Sequence, residues 1–289
     1  MIHLVDASPY IFRAYFSMPS DMTSPSGAQV NAVYGYARML LQLIEQQNVT
    51  HLGLTYDRSL NTSFRNDFYP EYKAQRELPP AELEAQLNWC VDIGKALGAP
   101  VYIDERYEAD DFIATLCHQL EGQEIVMVTS DKDMAQLVND KITLLDFAKD
   151  EIFDADAVKE KFGVRPEQIA DYLGLAGDSV DNIPGVKGVG KKTAAALLEA
   201  FDDLEALYDG IDGVAALPIR GAKTLGKKLL DSREMAFLSR RLATVAVDAP
   251  ATADLEELEW RGADRSILEP LVEELGFERL LDRVPRWIV

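Results

Sequence analysis

The sequence predicts an α/β fold: a largely parallel central sheet followed by an all-helical region. Three observations predict it. Short apolar runs at residues 2–5, 52–56, 101–103, 125–129 and 142–145 read as buried strands, with helical patterns at 32–46, 80–97 and 110–120 between them. Three of these runs lead into aspartate, at Asp6, Asp57 and Asp131. Beyond Phe162-Gly163-Val164-Arg165-Pro166 the strand signal stops and only helical patterns follow.

In chain order, the first run begins at Ile2 with no basic flank or cleavage site, so it reads as a strand and not as a signal peptide. The alternation of strand and helix continues to about residue 150. In open α/β sheets ligands bind outside the carboxyl ends of the strands, so the three strand-end aspartates are expected to converge on one edge. Pro166 suits the first turn of a helix. A helix at 191–201 follows a glycine-punctuated hairpin, and 221–242 reads as one or two more. The last forty residues are acidic, carry a short helical pattern at 266–275, and are expected to pack back on the first domain. The division is 1–165 and 166–289, with no long repeat.

Composition narrows the classes. The chain has 289 residues, of which 47% are hydrophobic, enough for a substantial core. No apolar run reaches the roughly 18 residues a membrane span needs. Cys90 and Cys117 fall in helical patterns and read as buried thiols of a reducing, cytoplasmic compartment. The net charge of −20 argues as a sum against nucleic acid. Its distribution argues otherwise, because Arg220, Lys223, Lys227, Lys228, Arg233, Arg240 and Arg241 form one basic run. Lys187, Lys191 and Lys192 mark the hairpin, and Lys73 and Arg76 follow Tyr72.

The most informative stretch is 174–198. Asp178 and Asp181 precede the turn Gly185-Val-Lys-Gly-Val-Gly190, and a helix then opens with Lys191 and Lys192. Paired carboxylates suit divalent cations, and glycine-rich turns at a helix N-terminus suit phosphate, because their N–H groups are free. Further carboxylates occur in Glu108-Ala-Asp110-Asp111 and Asp131-Lys-Asp133. With Asp6 and Asp57 this is an all-oxygen donor set at a density that divalent cations resolve. It suits Mg²⁺, with Mn²⁺ as substitute and zinc disfavoured. Two such ions about 4 Å apart would activate a water and stabilise a leaving oxygen. No Ser/His/Asp set is evident, and His3, His51 and His118 have no motif context. Between Phe64 and Arg76 aromatic and basic residues interleave, a pattern suited to single-stranded nucleic acid. Two rival readings are a non-catalytic junction-binding protein and a small-substrate phosphatase.

Taken together, Leu4-Val-Asp-Ala-Ser8, Arg13-Ala-Tyr15, Phe64-Arg65, Tyr72-Lys-Ala-Gln-Arg76, the Glu108 and Asp131 motifs and Gly177-Asp-Ser-Val-Asp-Asn-Ile-Pro-Gly-Val186 resemble the 5′-nuclease (flap endonuclease) superfamily. The similarity is nearest to the 5′→3′ exonuclease domain of bacterial DNA polymerase I and its free-standing relatives. It implies a PIN-like nuclease domain with a helical arch at about 62–95, and a helix–three-turn–helix hairpin at 166–201. It implies a structure-selective DNA 5′-nuclease, monomeric, acting on 5′-flap or nicked and gapped duplex beside a separate polymerase. By resemblance, Asp6, Asp57, Glu108, Asp110, Asp111 and Asp131 surround a first metal, and Asp133, Asp178 and Asp181 a second. Lys73 and Arg76 match residues contacting the scissile phosphate. Arg13, Arg65, Tyr72, Lys187, Lys191, Lys192, Arg220 and Lys223 would contact DNA. Carbonyl oxygens of Leu175, Ala176, Pro184, Val186 and Val189 would hold K⁺.

Overall fold

The computed structural model describes residues 1–58 and 62–288; residues 59–61 and the predicted end of the helical region, Val289, lie outside the described residues. A six-stranded sheet has the order β3-β2-β1-β4-β5-β6. Its strands are β1 (Ile2–Asp6), β2 (His51–Asp57), β3 (Val101–Asp104), β4 (Ile125–Val128), β5 (Ile142–Asp146) and β6 (Glu151–Phe153). All pairings are parallel except β5 with β6. β1 is central, with Asp6 in register with Thr55 of β2, so the carboxyl ends of β1, β2 and β4 lie side by side. The strand β6 has no counterpart among the predicted runs: it is three residues long and its Ile152 is exposed.

Helices cover both faces. On one lie α1 (Ser8–Ser17), α2 (Asn31–Gln46) and α4 (Ala81–Ala96), with the single turn α3 (Arg65–Phe68) between α2 and α4 in sequence. On α2, Val33, Tyr36, Ala37, Leu40, Leu41 and Ile44 are buried, the three-and-four spacing of a helix stripe. Each fully buried leucine there contributes about 1.5–3 kcal/mol. A side chain at Gly35 would meet Ala14 Cβ at 2.7 Å, so this glycine permits the close crossing of α1 and α2. The other face carries α5 (Ala109–Gln119).

The helical region comprises α6 (Ala155–Phe162), α7 (Ile169–Ala176), α8 (Lys191–Phe201), α9 (Leu204–Asp209), α10 (Ala222–Asp231) and α11 (Arg233–Ala243). The pattern at 221–242, read as one or two helices, is two, separated at Ser232. Then come α12 (Leu255–Leu258) and α13 (Arg265–Leu275). The core does not stop at residue 165: Leu4, Ile113 and Met127 of the first domain share one cluster with Leu173, Leu197 and Leu229. The acidic tail returns to the first domain, where Trp260, Leu268 and Val272 join the core formed with α2 and α4. The Trp260 indole donates to the Leu97 carbonyl at 2.7 Å, and Asp264 N to Ala96 O at 2.9 Å.

Between α7 and α8 the chain makes the predicted hairpin. Gly185 has φ +61°, and a Cβ there would lie 2.4 Å from Gly177 N, so two backbone strands cross where no side chain fits. Both cysteines are free and buried, as packing residues. Among the described residues no helix is long and apolar enough to cross a membrane.

Candidate active site

The parallel register brings the strand-end acids together. Asp6 is held by Ser8 N at 3.2 Å and the Thr129 hydroxyl at 2.8 Å, and Asp57 by Ala109 N at 2.9 Å. Asp131 accepts from Asp133 N at 2.8 Å. The start of α5 adds Glu108, Asp110 and Asp111. From the loop after α7, Asp178 caps the turn by accepting from Asp181 N at 3.2 Å.

These carboxylates fall into two groups. Asp6, Asp110, Asp131 and Asp133 are all pushed up from the ordinary carboxyl range. Burial is the main cause in each; the next is Asp57 for Asp6 and Asp131 for Asp110 and Asp133. Asp133 is raised to about 8. Asp110 Oδ1 is buried with no hydrogen-bond partner. Glu108 goes the other way: burial opposes its ionisation, but Lys73 and Arg65 hold it below the usual value.

The cations that cause this difference come from the segment between β2 and α4. Lys73 Nζ lies 2.8 Å from Glu108 Oε1 and 3.6 Å from Asp181 Oδ2. Arg76 pairs with Asp181 Oδ1. The Lys73 backbone is left-handed, φ +54°, a conformation uncommon outside glycine, and its N–H donates to Asp181 O at 3.1 Å. Gln75 donates to the Ser179 and Val180 carbonyls and Asn182 to Glu71 O, clasping this segment to the hairpin loop.

Three expectations are corrected. Asp111 has no acceptor position left for a metal: Oδ1 takes Arg65 Nη2 and Ala246 N, each at 2.8 Å, and Oδ2 takes Arg65 Nη1 at 2.8 Å and Glu108 N at 3.1 Å. Arg65 cannot reach DNA from this position. It is 2% exposed, and its remaining donors go to Leu242 O at 2.9 Å, Thr244 O at 3.0 Å and Glu108 Oε2 at 3.4 Å. Tyr72 is likewise buried, its hydroxyl 3.0 Å from Glu108 Oε2 and 3.3 Å from Asp181 Oδ2, and so supports the carboxylates from below.

The donor set fits a hard divalent ion. Its ligating atoms are all carboxylate oxygens, one of them orphaned, and four of the acids lack the charge compensation that Glu108 has. Among the described residues no three acidic, imidazole or thiol side chains already close on one point as a metal cage. A cleft of about 330 Å³ opens beside Asp57, between β2 and α4, lined also by Ser8, Arg58, Glu84 and Asn88. Arg13 lies on the exposed side of α1, beside a cavity it shares with Tyr10 and Arg38.

Lys187, Lys191, Lys192, Arg220 and Lys223 are all exposed, and among the described residues none has a carboxylate within 4.0 Å. In a chain of net charge −20 these are exposed cations without a carboxylate partner. Lys228, in the basic run but not among the expected DNA contacts, has its Nζ 3.8 Å from where a Cβ on Gly188 of the hairpin would lie. A signal for it exists: Gly185-Val-Lys-Gly-Val-Gly-Lys-Lys192 recurs as Gly221-Ala-Lys-Thr-Leu-Gly-Lys-Lys228. The helix opens after Gly190 in the first copy and after Gly221 in the second, so the lysine pairs fall at different turns. Of the carbonyls expected to hold K⁺, that of Leu175 accepts from Val186 N at 2.8 Å and that of Val186 from Val189 N at 2.9 Å. Arg240, by contrast, is tied to Asp171 and Glu205.

Comparison with known proteins gives a consistent result. Residues 1–163 match the family described as 5′-3′ exonuclease, N-terminal resolvase-like domain, and residues 164–266 match 5′-3′ exonuclease, C-terminal SAM fold. The chain is 43% identical over 286 residues to DNA polymerase I of Pseudomonas aeruginosa, covering 98% of this chain and 31% of that protein. It is 39% identical over 287 residues to DNA polymerase I of Bacillus subtilis, covering 97% and 32%. The chain therefore spans about a third of the length of the curated relatives it matches. Among solved structures it is similar to T5 5′-exonuclease with bound divalent metal ions (zinc), at a TM-score of 0.69 and 22% identity, covering 95% of this chain and 99% of that one. The catalytic core of Rad2 in complex with DNA substrate has a TM-score of 0.64 at 17% identity, covering 98% and 92%. At these identities the likeness is one of fold.

Proposed function

We propose that this chain, which belongs to the 5′-3′ exonuclease family, is a Mg²⁺-dependent, structure-selective 5′-nuclease that hydrolyses DNA phosphodiesters at single-strand/duplex junctions. The observation that carries this is the buried acid cluster, uncompensated at Asp6, Asp110, Asp131 and Asp133, lying beside Lys73 and Arg76. Asp6, Asp57, Glu108, Asp110 and Asp131 would hold one divalent ion, and Asp133, Asp178 and Asp181 a second. Such ions supply an activated water and stabilise a leaving oxygen.

The chain's own residues do the rest. Thr129 and Ser8 orient Asp6, and Ala109 N orients Asp57, so these acids are set before substrate arrives. Lys73 and Arg76 stand at the edge of the cluster, where cations stabilise the charge that develops on a phosphoryl group in transition. To do so Lys73 would exchange Glu108 and Asp181, and Arg76 would exchange Asp181, for phosphate. The free lysines of the hairpin and of α10 read duplex by its backbone, so selectivity follows shape. Carbonyls of Leu175, Ala176, Pro184, Val186 and Val189 would hold K⁺ against a phosphate. Relatives named DNA polymerase I motivate a role beside a polymerase.

The test is a 5′-end-labelled flap duplex incubated with Mg²⁺ and, in parallel, with EDTA. Cleavage near the junction only with Mg²⁺ is the expected result. Binding without cleavage in both would instead support the junction-binding protein.

A further inference from the structure

One buried assembly is not accounted for by metal or DNA contact. Arg65 uses all five of its N–H groups internally, on Asp111, Glu108, Leu242 O and Thr244 O. These partners come from two places far apart in the sequence, the start of α5 and the chain leaving α11. Ala246 N closes the ring by donating to Asp111 Oδ1 at 2.8 Å. The same exit segment is pinned twice more to the acid-bearing elements. Gln136, in the turn that begins at Asp133, donates to Ala243 O at 3.0 Å and accepts from Val245 N at 3.1 Å. Thr115 of α5 accepts from Ala249 N at 3.0 Å.

At its other side α11 reaches the hairpin. Ser239 is fully buried, and its hydroxyl accepts from Gly185 N at 3.0 Å, at the crossing where no side chain fits. A continuous hydrogen-bonded path therefore runs from the hairpin turn through α11 and Arg65 to Glu108, whose other oxygen holds Lys73. A buried ion pair is weak evidence for stability, since well-packed apolar residues often serve as well. Its use here is geometric: a rigid fork with five donors meets acceptors in fixed directions, which a lysine with three rotating donors cannot copy.

We propose that Arg65 and Asp111 are positioning residues, a strut that couples duplex seated on the hairpin to the placement of Glu108 among the metal-binding acids. The proposal rests on the nuclease reading for the nature of the duplex and of the ion. It makes a reciprocal demand: if duplex and ion both favour one arrangement of the strut, each tightens the other.

The test uses the full chain, Mn²⁺ as the ion, and a short DNA duplex closed by loops at both ends, which presents no 5′ terminus. Mn²⁺ affinity is measured by titration calorimetry with and without saturating duplex. Wild type is expected to bind Mn²⁺ about five-fold more tightly, or better, with duplex bound. Arg65→Lys keeps the charge and loses the fork; it is expected to bind duplex as wild type does and to lose the tightening. Ser239→Ala removes only the contact to Gly185 and is expected to weaken the tightening while Mn²⁺ affinity without duplex is unchanged. It carries the test if Arg65→Lys does not fold. Tightening retained in Ser239→Ala, or absent in a wild type that binds both ligands, overturns the strut. A wild type that binds neither, or leaves a flap uncut with Mg²⁺, overturns the nuclease reading instead.

Discussion

Two acids adjacent in sequence, Asp110 and Asp111, meet opposite fates. Asp110 is half-buried, with Oδ1 buried and unpartnered and its carboxyl pushed up by desolvation and by Asp131. Asp111 is fully buried and accepts four hydrogen bonds, two from one guanidinium. Successive residues at a helix start point in directions about 100° apart, so one faces the sheet edge and the other faces Arg65. The difference teaches that acid density alone does not define a metal site. An acid with both oxygens already saturated, as at Asp111, is structural, and one with an oxygen left unpartnered, as at Asp110, is available to an ion.

The sharpest way to break this contrast is at Asp111. Asp111→Asn strands the buried Arg65 charge and is expected to lower stability by about 3–5 kcal/mol, seen as a drop in the denaturant midpoint. A change below 1 kcal/mol would return Asp111 to the metal ligands. Asp110→Asn should do the reverse: the ion-free melting temperature holds or rises, while single-turnover flap cleavage falls by about 10²–10³-fold. Wild-type cleavage in that variant would remove Asp110 from the ion site.

A buried base sharpens the same rule. His3 on β1 is 1% exposed, neither ring nitrogen has a partner, and burial lowers its pKa to about 4. The unfolded chain takes up a proton near the ordinary value of about 6.5, before the folded chain does. Stability attributable to His3 is therefore intact above pH 6.5 and lost as pH falls toward 4, by about 3 kcal/mol in all. His3→Leu should flatten the acid limb of the unfolding profile over that window; an unchanged limb would place the imidazole in a wetter site. The smallest effect belongs to the exposed cations. Lys192→Ala should reduce the log–log salt slope of duplex binding by about 0.9 with cleavage at saturating DNA unaltered. An unchanged slope would leave Lys192 off the phosphate track.

Much of this is legible in the sequence. The strands ending in Asp6, Asp57 and the turn to Asp131 could be read because a buried parallel strand is a short apolar run and its carboxyl end is where polar residues resume. The hairpin was legible because glycine spacing reports backbone geometry directly. Helix α1 is hard to read from sequence because it carries Pro9 and large apolar residues on its exposed as well as its buried side, Phe16 among the exposed ones, and β6 because three residues with one face exposed cannot show alternation. The basic run was visible as composition, but not that Arg240 is consumed by Asp171 and Glu205 while Lys228 reaches the hairpin.

By itself the sequence determined the fold class, the strand-end placement of the acids, and the glycine crossing at Gly185, since each follows from local pattern and covalent geometry. Only the tertiary structure decided which acids stay unbalanced and which cations are already taken. Arg65 meets Leu242 and Thr244 across most of the chain's length, and no local pattern encodes that meeting. Charge compensation depends on distance in space and on burial, and both are settled only when the separate segments pack.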